Sequence, residues 1–109
     1  MSTFDLFRDA NKDLCFRLKT ASGKVLLTSE GFASRADAEE GIELAQRLAP
    51  EARNYERSRS DAGHGFTLQT YEGEVVGTSE LFPSIAARDK AIEAVKDEAP
   101  GAEVTGLER

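Results

Sequence analysis

The amino-acid sequence repeats itself once, at an offset of fifty residues. Residues 16–52 align with residues 66–102, and sixteen of these thirty-seven positions are identical. The repeated segments include Thr28-Ser29-Glu30, which returns as Thr78-Ser79-Glu80. A solenoid needs at least about three units, so two copies indicate instead the geometry of a homodimer fused into one chain.

The length favours one domain over two. The chain has 109 residues, and each copy alone is near the size at which a hydrophobic core becomes insufficient. We therefore predict a single pseudo-twofold domain over residues 1–109, built of copy one (about 1–53) and copy two (about 54–109). Because the fusion already supplies both halves of a dimer, we expect a monomer.

Charge and composition argue against several classes of partner. The formal net charge is −6 without a cluster of lysines and arginines, so nucleic acid is not an expected partner. No stretch approaches eighteen apolar residues and the first residues lack a basic, apolar signal segment, so we expect no membrane partner. The single cysteine, Cys15, cannot form an internal disulfide and agrees with a reducing compartment. These features favour a cytoplasmic protein.

Alternating apolar and polar residues predict a β-hairpin in each copy. In copy one the two strands are joined by a two-residue turn at Ser22-Gly23, which places Thr20 opposite Val25 and Leu18 opposite Leu27. This register puts Phe16, Leu18, Val25 and Leu27 on the core face and Arg17, Lys19, Leu26, Thr28 and Glu30 on the outer face. Copy two repeats the pattern, with Gly77 in place of Leu27.

Each hairpin is preceded by a further strand, at residues 4–8 and 55–59. The segment 60–65 is small and polar, so we expect a mobile loop there. A short closing strand is predicted at the end of each copy: residues 52–57, which merge with the start of copy two, and residues 103–107, where Val104 and Leu107 should be buried.

A helix follows each hairpin. Ser34 and Ser84 are suited to N-caps, and Pro50 and Pro100 should end the helices, because proline disfavours helical geometry in the residue before it. Residues at helical spacing form the buried stripes: Ala38, Ile42, Ala45 and Ala49 in the first helix, and Ile92, Val95 and Ala99 in the second.

The doubled motif resembles the YegP-like family, small bacterial and archaeal proteins of unknown function. The family pattern joins a Phe-x-Leu-Lys strand, a glycine turn, a Thr-Ser-Glu strand end and a Ser-initiated helix that closes in Ala-Pro. It is met as Phe16-Arg-Leu-Lys19, Thr28-Ser-Glu30, Ser34 and Ala49-Pro50, and again as Phe66-Thr-Leu-Gln69, Thr78-Ser-Glu80, Ser84 and Ala99-Pro100. Gln69 and Gly77 depart from the pattern.

This resemblance covers essentially the whole chain. It implies an α+β fold of two tandem β3-α-β repeats that form one antiparallel sheet, with two helices on one face and exchanged C-terminal strands. It supplies no catalytic residue. Since no glycine-rich phosphate loop, metal-ligand spacing or carboxylate dyad occurs in the sequence, we predict neither a cofactor nor a metal.

Two classes of function stay open. The first is a non-catalytic binding module that offers its uncovered sheet face to a protein, peptide or small-molecule partner. Its predicted contact residues are Arg17, Lys19, Thr28, Thr67, Gln69 and Thr78, with Leu26 and Val76 beside them. The second is a small enzyme with a site between the copies, around Ser29, Glu30, Ser79 and Glu80. A nucleophilic serine needs a base and copy one contains no histidine, so the sequence favours binding.

Two single residues have weaker functional interpretations. His64, the only histidine, is predicted in the mobile loop without a fixed partner, so a metal site or a catalytic dyad is not expected. Cys15 is predicted on the outer sheet face beside Arg17, which could lower the pKa of its thiol and make it reactive. The alternative interpretation, an incidental strand residue, is preferred for Cys15.

Overall fold

The computed structural model describes residues 2–106 of the chain. Along that part, the chain forms seven strands and two helices. They are β1 (Thr3–Arg8), β2 (Leu14–Lys19), β3 (Val25–Thr28), α1 (Arg35–Leu48), β4 (Tyr55–Ser60), β5 (Gly63–Gln69), β6 (Val75–Thr78), α2 (Ile85–Glu98) and β7 (Glu103–Thr105). Short 3-10 turns follow the two helices, at Ala52–Asn54 and Ala99–Gly101.

The seven strands form one sheet in the order β4-β5-β6-β3-β2-β1-β7. The two copies meet at its centre, where Thr28 of β3 pairs with Thr78 of β6. These threonines are equivalent in the repeat, so the approximate twofold axis passes between them. The predicted α+β fold of two tandem repeats is confirmed.

The last strand of copy two lies in the half of the sheet that belongs to copy one. β7 pairs with β1 of copy one, and the end of copy one runs through the 3-10 turn into β4, which pairs with β5. A wholly antiparallel sheet was expected. The sheet is instead mixed, because β7 is parallel to β1. β7 reaches this edge after α2, and such a crossover permits parallel pairing where a tight hairpin does not.

The closing strand is shorter than predicted. β7 ends at Thr105, and Leu107 lies outside the described residues. Val104 was expected to be buried, but it is 43 % exposed. It is exposed because β7 is the outermost described strand of the sheet. The start of copy one's closing segment is a 3-10 turn rather than a strand.

The hairpin turn contains three residues rather than two. The Gly23 N–H donates to the Thr20 carbonyl and the Thr20 N–H donates to the Lys24 carbonyl, each at 2.9 Å, with Gly23 at φ 93°. A three-residue hairpin loop places its last residue in the left-handed region, where glycine is favoured. Val25 therefore lies opposite Lys19 instead of Thr20, and a β-bulge falls between Leu18 and Lys19.

The bulge moves two apolar side chains that the alternation placed on the outer face. Leu26 and its counterpart Val76 are 2 % and 8 % exposed and belong to the hydrophobic core. A bulge sets two residues of one strand against one residue of its partner, so strict alternation fails there. The predicted pairing of Leu18 with Leu27 is confirmed.

The core lies between the sheet and the two helices. Its largest fully buried side chains are Phe4, Phe16, Leu18, Leu27, Ile42, Phe66, Leu68 and Val95. The predicted helix stripes are buried, and both serine caps are confirmed, with N–H groups of Asp37 and Ala87 donating to the hydroxyls of Ser34 and Ser84 at 3.1 and 3.0 Å. α1 contacts strands of both copies, so the core is shared across the twofold axis.

Candidate binding face

A row of polar residues crosses the sheet on the face opposite the helices. Neighbouring strands pair these residues directly, so each lies beside the next: Glu56, Thr67, Thr78, Thr28, Arg17, Asp5 and Thr105. Directly paired residues share one face of a sheet, with their Cβ atoms about 4.5–5.5 Å apart. We call this set the polar row. Four predicted contact residues, Arg17, Thr28, Thr67 and Thr78, belong to it.

The copy-one part of this face is organised by a carboxylate. The Asp5 carboxylate forms an ion pair with Lys19, with Nζ and Oδ2 2.8 Å apart. It also accepts hydrogen bonds from the hydroxyls of Thr3 and Thr105. Burial alone would raise the pKa of Asp5, but the hydrogen bonds from Lys19, Thr105 and Thr3 outweigh it and lower the pKa below its ordinary value. The stability that Asp5 adds is therefore present above that ordinary pKa and is lost as the pH falls through the lowered value.

Within residues 2–106, Arg17 has no such counter-charge. Its guanidinium carbon lies 3.8 Å from the centre of the Phe7 ring, a cation–π contact on the same face. Among residues 2–106 no carboxylate lies within 4.0 Å of its nitrogens, and its buried Nε makes no hydrogen bond. Arg17 is thus held by an aromatic ring while its charge stays unpaired by the described part of the protein.

Cys15 lies next to this pair but is not a reactive thiol. It is 3 % exposed, and burial first, followed by the neighbouring Asp9 and Asp13, raises the pKa of the thiol. The thiol donates to the Asp9 carboxylate at 3.7 Å and to the Asp13 carbonyl at 3.8 Å. The charge of Arg17 acts in the expected direction and lowers the pKa, but burial and the two aspartates outweigh it, so the net shift of the thiol pKa is upward.

The copy-two part of the face is less charged. The Gln69 side-chain amide donates to the Thr67 hydroxyl at 2.8 Å, so a hydrogen bond joins these two predicted contact residues. Gly65 takes the place of Cys15, and a Cβ there would lie 3.2 Å from the Leu81 side chain. Leu81 therefore covers the position that the Cys15 side chain fills in copy one. The copy-one counterpart of Leu81 is Gly31, which has no side chain to cover it.

The serines of the two Thr-Ser-Glu motifs join the ends of the two hairpin strands through hydrogen bonds. The Ser29 hydroxyl accepts the Phe16 N–H at 2.9 Å and donates to the Glu30 carbonyl at 2.8 Å. Ser79 repeats both bonds with Phe66 and Glu80, at 2.9 and 2.7 Å. Each hydroxyl thus uses its proton on a backbone carbonyl, which favours a structural role over that of a nucleophile.

Replacing Ser29 by alanine should lower the free energy of unfolding by about 1–3 kcal/mol, because the buried Phe16 N–H loses its side-chain partner. Denaturant melts monitored by circular dichroism measure this loss. Ser22→Ala, in the exposed hairpin turn, is the control and should change stability by less than about 0.5 kcal/mol. Equal midpoints for the two variants would contradict the structural role of Ser29.

His64 lies in β5 and not in a mobile loop. Its backbone exchanges two hydrogen bonds with Phe82, at 2.9 and 2.7 Å, and the connection between β4 and β5 contains only Asp61 and Ala62. Leu14 makes the equivalent bridge to Phe32 in copy one. The loop prediction failed because Gly63 and Gly65 suggested a turn, whereas both pair as strand residues with Ser60 and Ser58.

Besides Thr105, three residues of this face were not predicted from the sequence: Asp5, Phe7 and Glu56. All three stand on the first strand of a copy, which lies outside the repeated block. The alternation of Thr3, Asp5 and Phe7 with buried Phe4 and Leu6 was the available signal, since it assigns them to the outer face. Glu56, opposite Thr67, adds a negative charge to copy two's part of the face.

Two features are absent from residues 2–106. These residues contain no helix that is long and apolar enough to cross a bilayer. The same stretch holds no cluster of three or more histidine, cysteine, aspartate or glutamate side chains placed to bind a metal ion.

The chain is similar to proteins of unknown function. Over 63 residues it is 36 % identical to a UPF0339 protein of Photorhabdus laumondii, covering 58 % of this chain and 55 % of that protein. A UPF0339 protein from the 5′ region of the ptx operon in Stutzerimonas stutzeri is 40 % identical over 60 residues, covering 55 % and 54 %. These matches span about half the length of the curated relatives.

Two structures solved by NMR have the same architecture. A UPF0339 protein of Shewanella oneidensis superposes with a TM-score of 0.89 at 29 % identity, covering 97 % of this chain and 91 % of that one. The Escherichia coli protein YegP, described as of unknown function, gives 0.88 at 26 % identity, with coverage of 96 % and 91 %.

The family model described as "Domain of unknown function (DUF1508)" matches the chain twice in tandem, over residues 9–56 and 60–105. These segments coincide closely with the two copies of the sequence repeat. The resemblance to YegP-like proteins is confirmed, and the chain belongs to the DUF1508 family.

Proposed function

We propose that the protein is a non-catalytic binding module that uses the polar row to hold a ligand bearing a carboxylate, such as an acidic segment of a partner protein. The observation that carries this proposal is the guanidinium of Arg17, which residues 2–106 leave without a counter-charge and which lies over Phe7 on the sheet face opposite α1 and α2. The module acts as a monomer, since both halves of the sheet are present in one chain.

The charges on this face favour a carboxylate over other ligands. The ammonium of Lys19 is already paired with Asp5 at 2.8 Å, so it offers little net attraction. Arg17 is the one cation of the polar row, and a guanidinium binds a carboxylate through two parallel hydrogen bonds. The Nε of Arg17 is enclosed by the protein, so the carboxylate would bind the two terminal nitrogens of the guanidinium.

Threonine side chains extend the site from Arg17 across the twofold axis. Thr28 pairs with both Arg17 and Thr78, and Thr78 pairs with Thr67. Each hydroxyl can both donate and accept a hydrogen bond, whereas Glu56 beyond Thr67 would repel a second carboxylate. We therefore expect one carboxylate at Arg17 and neutral polar groups along the threonines.

An NMR titration of the full chain tests this function. The probe is the peptide acetyl-Thr-Glu-Thr-Thr-amide, and the neutral control has glutamine in place of glutamate. We expect saturable amide shifts at Arg17, Thr28, Thr67 and Thr78 with the acidic peptide only. Arg17→Gln should weaken binding about three- to tenfold, because it removes a charge-assisted hydrogen-bonding pair.

Arg53→Gln is the matched control, because Arg53 is an exposed arginine in the turn between α1 and β4. It removes the same charge and should leave the affinity unchanged within about twofold. Equal loss in both variants, or shifts confined to Ser29 and Ser79, would contradict the proposal. The latter result would instead favour a site between the two Thr-Ser-Glu motifs.

A further inference from the structure

A second site lies on the helix side of the sheet, in a hollow of about 260 Å³ between the two copies. Copy one lines it with Glu30, Phe32 and Leu44, and copy two with the hairpin residues Glu74 and Val76. The hollow thus combines an aromatic ring and aliphatic side chains with two carboxylates. None of its described lining residues carries a positive charge.

Copy two shows what this arrangement accommodates. Under the repeat, Phe82 corresponds to Phe32, and the copy-one hairpin residue Lys24 corresponds to Glu74. The Nζ atom of Lys24 lies 5.6 Å from the centre of the Phe82 ring, within the range of a cation–π contact. The twofold relation therefore places an ammonium on a four-carbon chain over one ring, and a carboxylate beside the other.

The two sides also differ in how well they are filled. Leu26 in copy one corresponds to the smaller Val76, and Leu81 in copy two corresponds to Gly31. Phe82 is buried, with 6 % of its surface exposed, whereas Phe32 is only partly buried. The hollow beside Phe32 is therefore the side of the pseudo-symmetric pair that lacks an internal cation and part of its apolar filling.

We propose that this hollow binds an alkylammonium ligand, with the ammonium group at Glu30 and Glu74 and the alkyl chain against Phe32, Leu44 and Val76. The side chain of Lys24 over Phe82 has the same chemistry as the proposed ligand over Phe32, an ammonium on an alkyl chain. A volume of about 260 Å³ lies below the usual range for drug-sized ligands, so it suits a chain of a few carbon atoms.

Neighbouring charges reinforce the choice of a cation. A neighbouring wider hollow shares Phe32 and Leu44, and its charged lining residues are Asp37, Glu40 and Glu43 with the single cation Arg47. With Glu30 and Glu74, the described groups around Phe32 carry a clear excess of negative charge. Such a field raises the local concentration of cations and repels anionic ligands.

An NMR titration of the full chain with pentylamine, protonated at neutral pH, tests the site. We expect saturable shifts at the amides of Gly31, Gly41 and Val76, which lie in the lining. Pentan-1-ol has the same chain without the charge and should give shifts at least about fivefold smaller at equal concentration. Two further probes separate the sources of the ligand: pentane-1,5-diamine represents a free amine, and acetyl-lysine amide represents a lysine side chain of a protein.

Glu74→Lys is the decisive variant, because it places beside Phe32 the same residue type that Lys24 already places over Phe82. The new ammonium should occupy the hollow and lower the affinity for pentylamine at least about tenfold. Glu72→Lys makes the same change in net charge in the exposed turn two residues away, and it should lower the affinity less than about twofold.

Three results would overturn the alkylammonium site. They are an absence of saturable shifts up to about 10 mM pentylamine, equal shifts with pentan-1-ol, or unchanged affinity in Glu74→Lys. Because the hollow and the polar row lie on opposite sides of the sheet, either site can fail without the other.

Discussion

Replacing Gly77 by leucine should lower the free energy of unfolding by about 2–4 kcal/mol, as expected for an overpacked core. A Cβ at Gly77 would lie 2.6 Å from Cγ of Leu27, closer than real Cβ contacts allow. Leu27 is fully buried, so it cannot move aside into solvent. Denaturant unfolding of the parent and the variant measures the loss.

The same contact predicts a rescue. Gly77 and Leu27 are equivalent positions of the two copies and meet beside the twofold axis, next to the paired Thr28 and Thr78. Leu27→Gly alone should cost about 3–5 kcal/mol by leaving a cavity. The exchanged double variant, with glycine at 27 and leucine at 77, should be at least about 2 kcal/mol more stable than the sum of the single losses predicts.

Pseudo-symmetry explains why one leucine suffices. A true homodimer would place two identical side chains at the axis, but the fused chain can divide the space unequally. Strictly additive losses in the double variant would show that the two positions do not share one space. A preserved helical circular dichroism spectrum is the control that each variant keeps its fold.

The features that the sequence predicted well are those that recur in both copies. The repeat, the serine caps and the buried helix stripes each appear twice at corresponding positions, so local chemistry and the repeat agree. The exchange of closing strands came from the family resemblance. It could not come from periodicity, because β7 pairs with residues about one hundred positions away.

Alternation failed where the backbone departs from regular pairing. The bulge beside Lys19 places Leu26 in the core. A strict alternation of apolar and polar residues does not reveal where such a bulge occurs. Unequal side chains were the second obstacle. Leu81 fills the space over Gly65 that Cys15 fills in copy one, and such compensation is visible only once the two strands are placed side by side.

The candidate face was found only in part for a related reason. Arg17 and Thr28 lie in the repeated block, and their partners in copy two follow by symmetry. Asp5 and Phe7 decide which cation is neutralised and which stays unpaired, yet they lie in β1, before the block begins. The pairing of β1 with β2 is what makes them part of the site.

A chain that ends at Pro100 should lose about 2–4 kcal/mol of stability, a large fraction of the roughly 5–15 kcal/mol typical of a small domain. It lacks β7, whose three residue pairs with β1 supply backbone hydrogen bonds at the edge of the sheet. It also loses the buried Ala102, together with the hydrogen bond at 3.2 Å from Gln46 to the Ala102 carbonyl.

Backbone pairing, and not the side chain of Val104, is the source of this stability. Val104 is 43 % exposed, so its apolar contribution is small, whereas the Thr105 hydroxyl donates to Asp5 and the backbone at Gly106 approaches the Leu6 carbonyl closely. A chain that ends at Gly106 keeps these contacts and is the matched control. Without β7, β1 becomes an exposed edge, so we also expect concentration-dependent self-association in sedimentation experiments. Equal unfolding midpoints for the two shortened chains would mean that β7 does not hold the sheet together.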